Sequence, residues 1–231
     1  MFNIKTEVED YMSIIVTHEC NRTCSFCVDK YRGNKEYITI GNVIDALCRA
    51  KNGGVKDILL VGGEPTMHPD ILEIANTVKL FGFNLILTTN YSKEDTIKDL
   101  DGIVDSFNIS FHDQEYLPLQ SDFKSDITLS ALIYKGQLDT REKLDLFIDK
   151  YRGDMNLKFS TLYSCNDFAK DRQVVGYLDS LPARKVRLFN EIEGLIYNGF
   201  VIKRYDRIVN KSAKQSLKCH VDGKISSSWD R

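Results

Sequence analysis

Three of the six cysteines in this 231-residue chain fall within one short stretch. Cys20, Cys24 and Cys27 are spaced C-x3-C-x2-C, and the apolar, β-branched residues 12–17 before them predict a strand. The thiols would lie on the loop after the carboxyl end of that strand, where α/β folds place their functional sites. Three thiolates can hold three irons of a cubane cluster and leave the fourth iron without a protein ligand. The stretch therefore predicts a site for chemistry.

A second motif, Gly62-Gly63-Glu64-Pro65, follows another predicted strand at residues 57–61. Glycine lacks a side chain, so it permits close approach of the backbone and unusual dihedral angles. We expect that approach to be toward a bound cofactor, with Pro65 stiffening the chain where it leaves the loop.

Together the two motifs resemble those of the radical SAM enzymes, whose signature is C-x3-C-x2-C with an aromatic residue, here Phe26, just before the last cysteine. The resemblance implies that Cys20, Cys24 and Cys27 bind one 4Fe-4S cluster and that S-adenosylmethionine chelates the open iron. Reduction then releases a 5'-deoxyadenosyl radical. A flavodoxin- or ferredoxin-type protein is the reductant that the resemblance implies.

Other cofactor contacts also follow from the resemblance. The Gly-Gly-Glu-Pro motif contacts the methionine amino group, and the ends of two further strands hold the ribose and the methionine carboxylate. The alternative for the strand-end residues is that they are polar caps. The cofactor-binding residues implied in this way are Phe26, Gly62, Gly63, Glu64, Pro65, Asn90 and Ser110.

The three remaining cysteines have separate interpretations. Cys165 follows the sixth predicted strand, where its thiol can donate a hydrogen atom to a substrate radical, as in radical SAM epimerases; the alternative is a packed or idle thiol. Cys48 lies within a predicted helix and is most simply a small core residue. Cys219 stands alone in the tail, too few ligands for a second cluster, so we expect a single cluster.

Strand-like and helix-like segments alternate along most of the chain. This alternation favours parallel strands with right-handed helical connections, an α/β class. It matches the partial (β/α)6 TIM-like barrel that the resemblance implies. The predicted strands are residues 12–17, 57–61, 84–89, 106–111, 127–134 and 157–163, and the predicted helices are 40–50, 69–81, 92–100, 140–151 and 173–181.

The pattern changes after Leu181. Short strand-like segments and the turn signals Asn198-Gly199 and Asp222-Gly223 predict a β-rich tail. We expect two regions, a radical SAM partial barrel at 1–182 and a C-terminal extension at 183–231. The extension would cap the barrel without being an independent domain.

Charge is distributed unevenly along the chain. The formal net charge is −2, but residues 184–231 carry eleven Lys or Arg against five Asp or Glu. The simplest interpretation is a solvated face, because the tail lacks arginines interleaved with stacking aromatic residues. An anionic partner, such as a nucleotide, an RNA or an acidic peptide, is the alternative.

Nothing in the sequence predicts a membrane segment. No apolar run reaches the length that spans a bilayer, and the charged N-terminus has no apolar signal region. We therefore expect a cytoplasmic protein, which agrees with the reducing setting that iron-binding thiols need.

Three functional hypotheses remain open. The first is a radical SAM enzyme that abstracts hydrogen from a small-molecule or peptide substrate, with Cys165 as a candidate hydrogen donor. The second is an activase for a glycyl-radical enzyme. The third is a non-catalytic zinc or electron-transfer module, in which the thiols and His18 would hold zinc. The Gly-Gly-Glu-Pro motif argues against the third.

Overall fold

The computed structural model describes residues 11–29, 31–112, 117–162, 172–188, 192–208 and 217–227. Contacts between residues divide the chain into two compact units. The first unit is Glu9–Ile127 with Gln215–Arg231, and the second is Met1–Val8 with Thr128–Lys214. None of the described helices has the length and apolarity needed to cross a membrane.

The first unit begins with four parallel strands whose order in the sheet follows the chain. Neighbouring strands pair in parallel, and one helix connects each strand to the next. These elements are β1 (Tyr11–Thr17), α1 (Ile40–Asn52), β2 (Asp57–Gly62), α2 (Ile71–Leu80), β3 (Asn84–Thr89), α3 (Glu94–Leu100) and β4 (Ser106–Ser110).

The sequence of α1 shows why its helix forms where it does. Thr39 caps its N-terminus, the side-chain oxygen accepting a hydrogen bond from the amide of Asn42. The buried residues Val43, Ala46, Leu47 and Ala50 follow a helical spacing and make one apolar face. Cys48 lies outside that face and is exposed, so our interpretation of it as a core residue is wrong.

The second unit continues the alternation and then becomes antiparallel. Strands β5 and β6 are parallel, β9 joins β6 in parallel, and β7, β8 and β9 form an antiparallel meander. Its elements are β5 (Asp126–Ile133, which begins in the first unit), α4 (Arg141–Tyr151), β6 (Asn156–Thr161), α5 (Arg172–Ser180), β7 (Arg184–Arg187), β8 (Ile192–Tyr197) and β9 (Phe200–Ile208).

Positive φ angles confirm the predicted turn between β8 and β9. Asn198 and Gly199 have φ of 48° and 90°, as a two-residue hairpin turn with both central residues left-handed requires.

Two last strands return to the first unit. β10 (Leu217–Cys219) pairs in parallel with β1, and β11 (Ile225–Ser226) pairs antiparallel with β10. The β-rich tail is therefore confirmed. The division into a barrel at 1–182 and a cap at 183–231 stays a prediction.

The six predicted strands and five predicted helices are all present, and the α/β fold class is confirmed. One connection differs from a regular βα repeat. Within its described residues, the link from β4 to β5 holds a short 3-10 turn, Gln120–Asp122, and no α-helix.

A buried cation fastens α5 to the meander. The side chain of Arg204 on β9 is fully buried, and its Nη1 lies 2.6 Å from Oδ1 of Asp179 on α5 and 3.5 Å from Oε1 of Glu193 on β8. A buried guanidinium needs such partners because its charge loses contact with water.

The core assignment predicts a large difference between two leucines. Leu60 on β2 is fully buried, whereas Leu80 at the end of α2 is 86% exposed. Leu60→Ala should lower the free energy of unfolding by about 2–5 kcal/mol through lost burial and a cavity. The matched Leu80→Ala should change it by less than about 0.5 kcal/mol. Urea unfolding of both variants checks this, and equal losses would contradict the assignment.

Candidate active site

The cysteine loop, residues 20–32, begins where β1 ends and is held at its base from two sides. On one side, the amide of Gly63 donates to the carbonyl of Thr17 at 2.8 Å and that of Glu64 to the carbonyl of Glu19 at 2.7 Å. On the other side, the amide of Gly33 donates to the carbonyl of His18 at 2.7 Å. The loop is thus closed by backbone hydrogen bonds and stands on a buried strand.

The glycines of the second motif are required by this close approach. A Cβ at Gly62 would lie 2.3 Å from the carbonyl oxygen of Thr17, and a Cβ at Gly63 would lie 2.3 Å from that of Glu19. Neither distance is tolerable, and both obstacles are backbone atoms. In the structure these glycines lie against the base of the cysteine loop, and their approach to a cofactor stays a prediction.

The three thiols of the loop are free and near one another. Cys20 and Cys24 are partly buried and Cys27 is exposed. The amide of Cys27 donates to the carbonyl of Cys24 at 3.2 Å, and the amide of Arg22 donates to Sγ of Cys20 at 3.4 Å. Such an amide stabilises a thiolate more than a thiol.

Burial raises the pKa of the Cys20 and Cys24 thiols. The negative charge of Cys27 raises both further, and that of Glu64 adds to the effect on Cys20. Thiolates packed this closely repel one another, so a positively charged metal centre would be needed to hold all three.

Two arginines lie against Cys24. Nη1 of Arg32 donates a hydrogen bond to the carbonyl of Cys24, and the charges of Arg22 and Arg32 both lower the pKa of its thiol. Among the described residues, no three His, Cys, Asp or Glu side chains are grouped as ligands of a single metal ion. His18, which the zinc alternative would use, has its Nδ1 2.8 Å from Oδ2 of Asp29.

An aromatic pair borders the thiols. The rings of Phe26 and His112 are nearly parallel, with centroids 6.1 Å apart and an interplanar angle of 9°. Nδ1 of His112 lies 3.8 Å from Sγ of Cys24. Burial, with the nearby charge of Arg22, lowers the pKa of His112 to about 4, so this imidazole is neutral near pH 7.

Glu64 is a buried carboxylate that joins β2 to β3. Its Oε1 accepts hydrogen bonds from the amide and hydroxyl of Thr66 and from the hydroxyl of Thr89, and its Oε2 accepts from the amide of Asn90. Burial raises the pKa of Glu64, while these hydrogen bonds act in the opposite direction. The side chain is 1% exposed and organises the ends of two strands.

Asn90 and Ser110 lie at the same end of the sheet as the cysteine loop. Thr89 pairs with Ile109, so Asn90 and Ser110 are the next residues of the two neighbouring strands. Asn90 is buried and Ser110 is partly exposed. Cys165 lies outside the described residues.

Sequence reasoning missed one residue of this arrangement, Asn21. Its Oδ1 accepts a hydrogen bond of 2.9 Å from Nδ2 of Asn90. The available signal was the position of Asn21 inside the cysteine motif, directly after Cys20. A polar side chain there can bond to the sheet and so fix the loop.

Comparison with protein families decides the identity of this region. Residues 14–114, which contain both motifs and the strands that carry them, match the model of the Radical SAM superfamily. The likeness to the radical SAM superfamily is thus shown for residues 14–114.

Curated relatives agree with the superfamily. An S-adenosylmethionine-dependent nucleotide dehydratase of Thermoplasmatales archaeon (strain ISO4-H5) is 34% identical over 46% of this chain and 39% of its own length. A putative glycyl-radical enzyme activating enzyme, MJ1632 of Methanocaldococcus jannaschii, is 30% identical over 62% of this chain and 52% of its own length. The chain thus matches about half of each relative or less.

A solved structure extends the likeness in fold. SuiB of Streptococcus suis bound to the precursor peptide SuiA superposes with a TM-score of 0.63 at 14% identity, covering 94% of this chain and 59% of SuiB. SuiB bound to S-adenosylmethionine gives a TM-score of 0.62. At this identity the likeness concerns the fold alone.

The match to the radical SAM superfamily implies an iron–sulfur cluster and S-adenosylmethionine as cofactors. The donor set of the loop fits such a cluster, because three free thiols come from one short loop and, beyond the effect of burial, the thiolate charges of Cys24 and Cys27 raise the pKa of Cys20. Iron–sulfur clusters are held by cysteine thiolates of this kind.

The glycine contacts generate a prediction with a matched control. Gly63→Ala should lower the unfolding free energy by about 1–3 kcal/mol, since the new methyl forces the backbone of residues 18 and 19 away. Gly176→Ala meets no atom within 4 Å and lies in helix α5, so it should stabilise by up to about 1 kcal/mol. Thermal unfolding distinguishes the two, and a neutral Gly63→Ala would contradict the close approach.

Proposed function

We propose that this chain is a radical SAM enzyme in which Cys20, Cys24 and Cys27 hold one 4Fe-4S cluster. The supporting observation is the loop of three free thiols on the end of a buried strand, clamped by the Gly62–Glu64 backbone. With S-adenosylmethionine bound, the cluster supplies a 5'-deoxyadenosyl radical that takes a hydrogen atom from a small-molecule or peptide substrate.

The protein's own residues bind and orient the reactants. The three thiols bind iron as thiolates, and the two arginines beside Cys24 offset part of their negative charge. Phe26 and the neutral His112 stack beside the thiols, with Nδ1 of His112 3.8 Å from Sγ of Cys24. Gly62–Pro65, Asn90 and Ser110 lie at the strand ends where S-adenosylmethionine would bind. A flavodoxin or ferredoxin would supply the electron.

The relatives support more than one class of substrate. They include a nucleotide dehydratase and a putative activating enzyme for a glycyl-radical enzyme, and SuiB was solved with a precursor peptide. A glycyl-radical activase is therefore our second candidate, favoured because the match to MJ1632 covers 62% of this chain. An activase would pass its radical to a glycine of a partner protein and would not need a thiol donor.

Cofactor loading tests the reaction class. The protein reconstituted without oxygen should contain about four irons and form 5'-deoxyadenosine from S-adenosylmethionine when reduced. Cys24→Ala should lose both properties. The matched control Cys48→Ala changes an exposed cysteine on α1 and should keep both. Retention of 5'-deoxyadenosine formation by Cys24→Ala, or zinc in place of iron in the wild-type protein, would contradict the proposal.

Cys165 remains our candidate hydrogen donor. Cys165→Ala should retain 5'-deoxyadenosine formation but lose the product, because the substrate radical would no longer receive a hydrogen atom. Product analysis in deuterated buffer checks this, since an exchangeable thiol delivers deuterium to the product. Unchanged product from Cys165→Ala would reject the donor role of Cys165.

A further inference from the structure

One side-chain hydrogen bond ties the first turn of the cysteine loop to the end of β3. Asn21, the residue after Cys20, accepts from Nδ2 of Asn90 at 2.9 Å. The two residues are 69 positions apart in the chain, and Asn90 is only 6% exposed. The bond is therefore a long-range contact, shielded from water at one end.

Asn90 is itself held in a fixed orientation. The backbone N–H of Asn90 donates to Oε2 of the buried Glu64 at 2.7 Å, and its side-chain Oδ1 accepts from the backbone N–H of Ser92 at 3.1 Å. These two hydrogen bonds fix the rotamer of Asn90 and direct its Nδ2 toward the cysteine loop. The bond to Asn21 therefore costs Asn90 no further side-chain freedom.

The backbone after Asn90 reinforces this orientation. Tyr91 has a φ of 58°, although it is not glycine and is 8% exposed, and its amide donates to the hydroxyl of Thr89 at 3.0 Å. The left-handed region is unfavourable for tyrosine, so the surrounding contacts must hold it there. The sharp turn keeps the Asn90 side chain beside the cysteine loop.

We propose that Asn90 is a positioning residue that acts through Asn21 to hold Cys20 and the turn after it ready for the cluster. The proposal rests on the proposed function of the loop. This positioning role is separate from the place near S-adenosylmethionine that the proposed function gives to Asn90. Because the amide of Arg22 contacts Sγ of Cys20, fixing Asn21 between them also fixes the N–H that stabilises this thiolate.

Iron retention by the reconstituted protein tests the role. Residues that orient metal ligands change metal affinity by about tenfold or more when replaced. Asn21→Ala and Asn90→Ala should each release iron to a chelator about tenfold faster than the wild type, and the double variant no faster than either single one. The control Asn76→Ala removes an exposed asparagine of α2 that bonds only its own helix at the carbonyl of Leu72, and it should release iron at the wild-type rate.

A merely cofactor-binding Asn90 would behave differently. Asn90→Ala would then weaken binding of S-adenosylmethionine while retaining iron, and Asn21→Ala would match the control. That result overturns the proposal.

A second measurement needs no iron. Trypsin cleaves after arginine, so cleavage of the apo protein after Arg22 reports how firmly the loop is held. Cleavage there should be faster in Asn21→Ala and Asn90→Ala and unchanged in Asn76→Ala. Equal cleavage in all four proteins overturns the positioning role. A wild-type protein that binds no iron would instead contradict the proposed function. The cleavage measurement, which uses the apo protein, would still decide whether Asn90 positions the loop.

Discussion

The geometry of the site depends on two backbone hydrogen bonds, from Gly63 to Thr17 and from Glu64 to Glu19. They extend the pairing of β1 and β2 beyond its last pair, Thr17 with Gly62, which follows a register shift after Ile15, and so carry the order of the sheet into the loops. Because residues 62 and 63 are glycines without side chains, their backbone can approach the backbone of residues 17–19 this closely. These hydrogen bonds therefore fix the direction in which the cysteine loop leaves β1.

Glu64 links the end of β2 to the end of the neighbouring strand β3 through hydrogen bonds. Its carboxylate accepts hydrogen bonds from Thr66, Thr89 and Asn90, so that β1, β2 and β3 end in one connected network. Hydrogen bonds to a charged acceptor are worth about 1.5–3 kcal/mol each, which helps to offset the cost of burying the charge. Asn21 then links the network back to the cysteine loop, which gives the proposed positioning role its physical basis.

The sequence was sufficient for the elements and the motifs but not for the contacts between them. Apolar periodicity located the strands and helices, and the spacing of Cys20, Cys24 and Cys27 pointed to the superfamily. The bond between Asn21 and Asn90 joins residues far apart in the chain, and no local pattern encodes it. Cys48 was misplaced because one residue along a helix rotates a side chain by about 100°, from the buried face to solvent. The partners of the buried Arg204 were likewise invisible, since burial of a cation depends on tertiary context.

The tail bears on the site through β1. With β2 on one side and β10 on the other, β1 is an interior strand, and six of its seven residues are buried. An interior strand exchanges hydrogen bonds along both edges, so its carboxyl end moves less than that of an edge strand would. Functional groups on rigid elements keep tighter geometry than groups on free loops. Three thiols proposed to hold one cluster would therefore benefit from a strand that the last described residues of the chain help to hold.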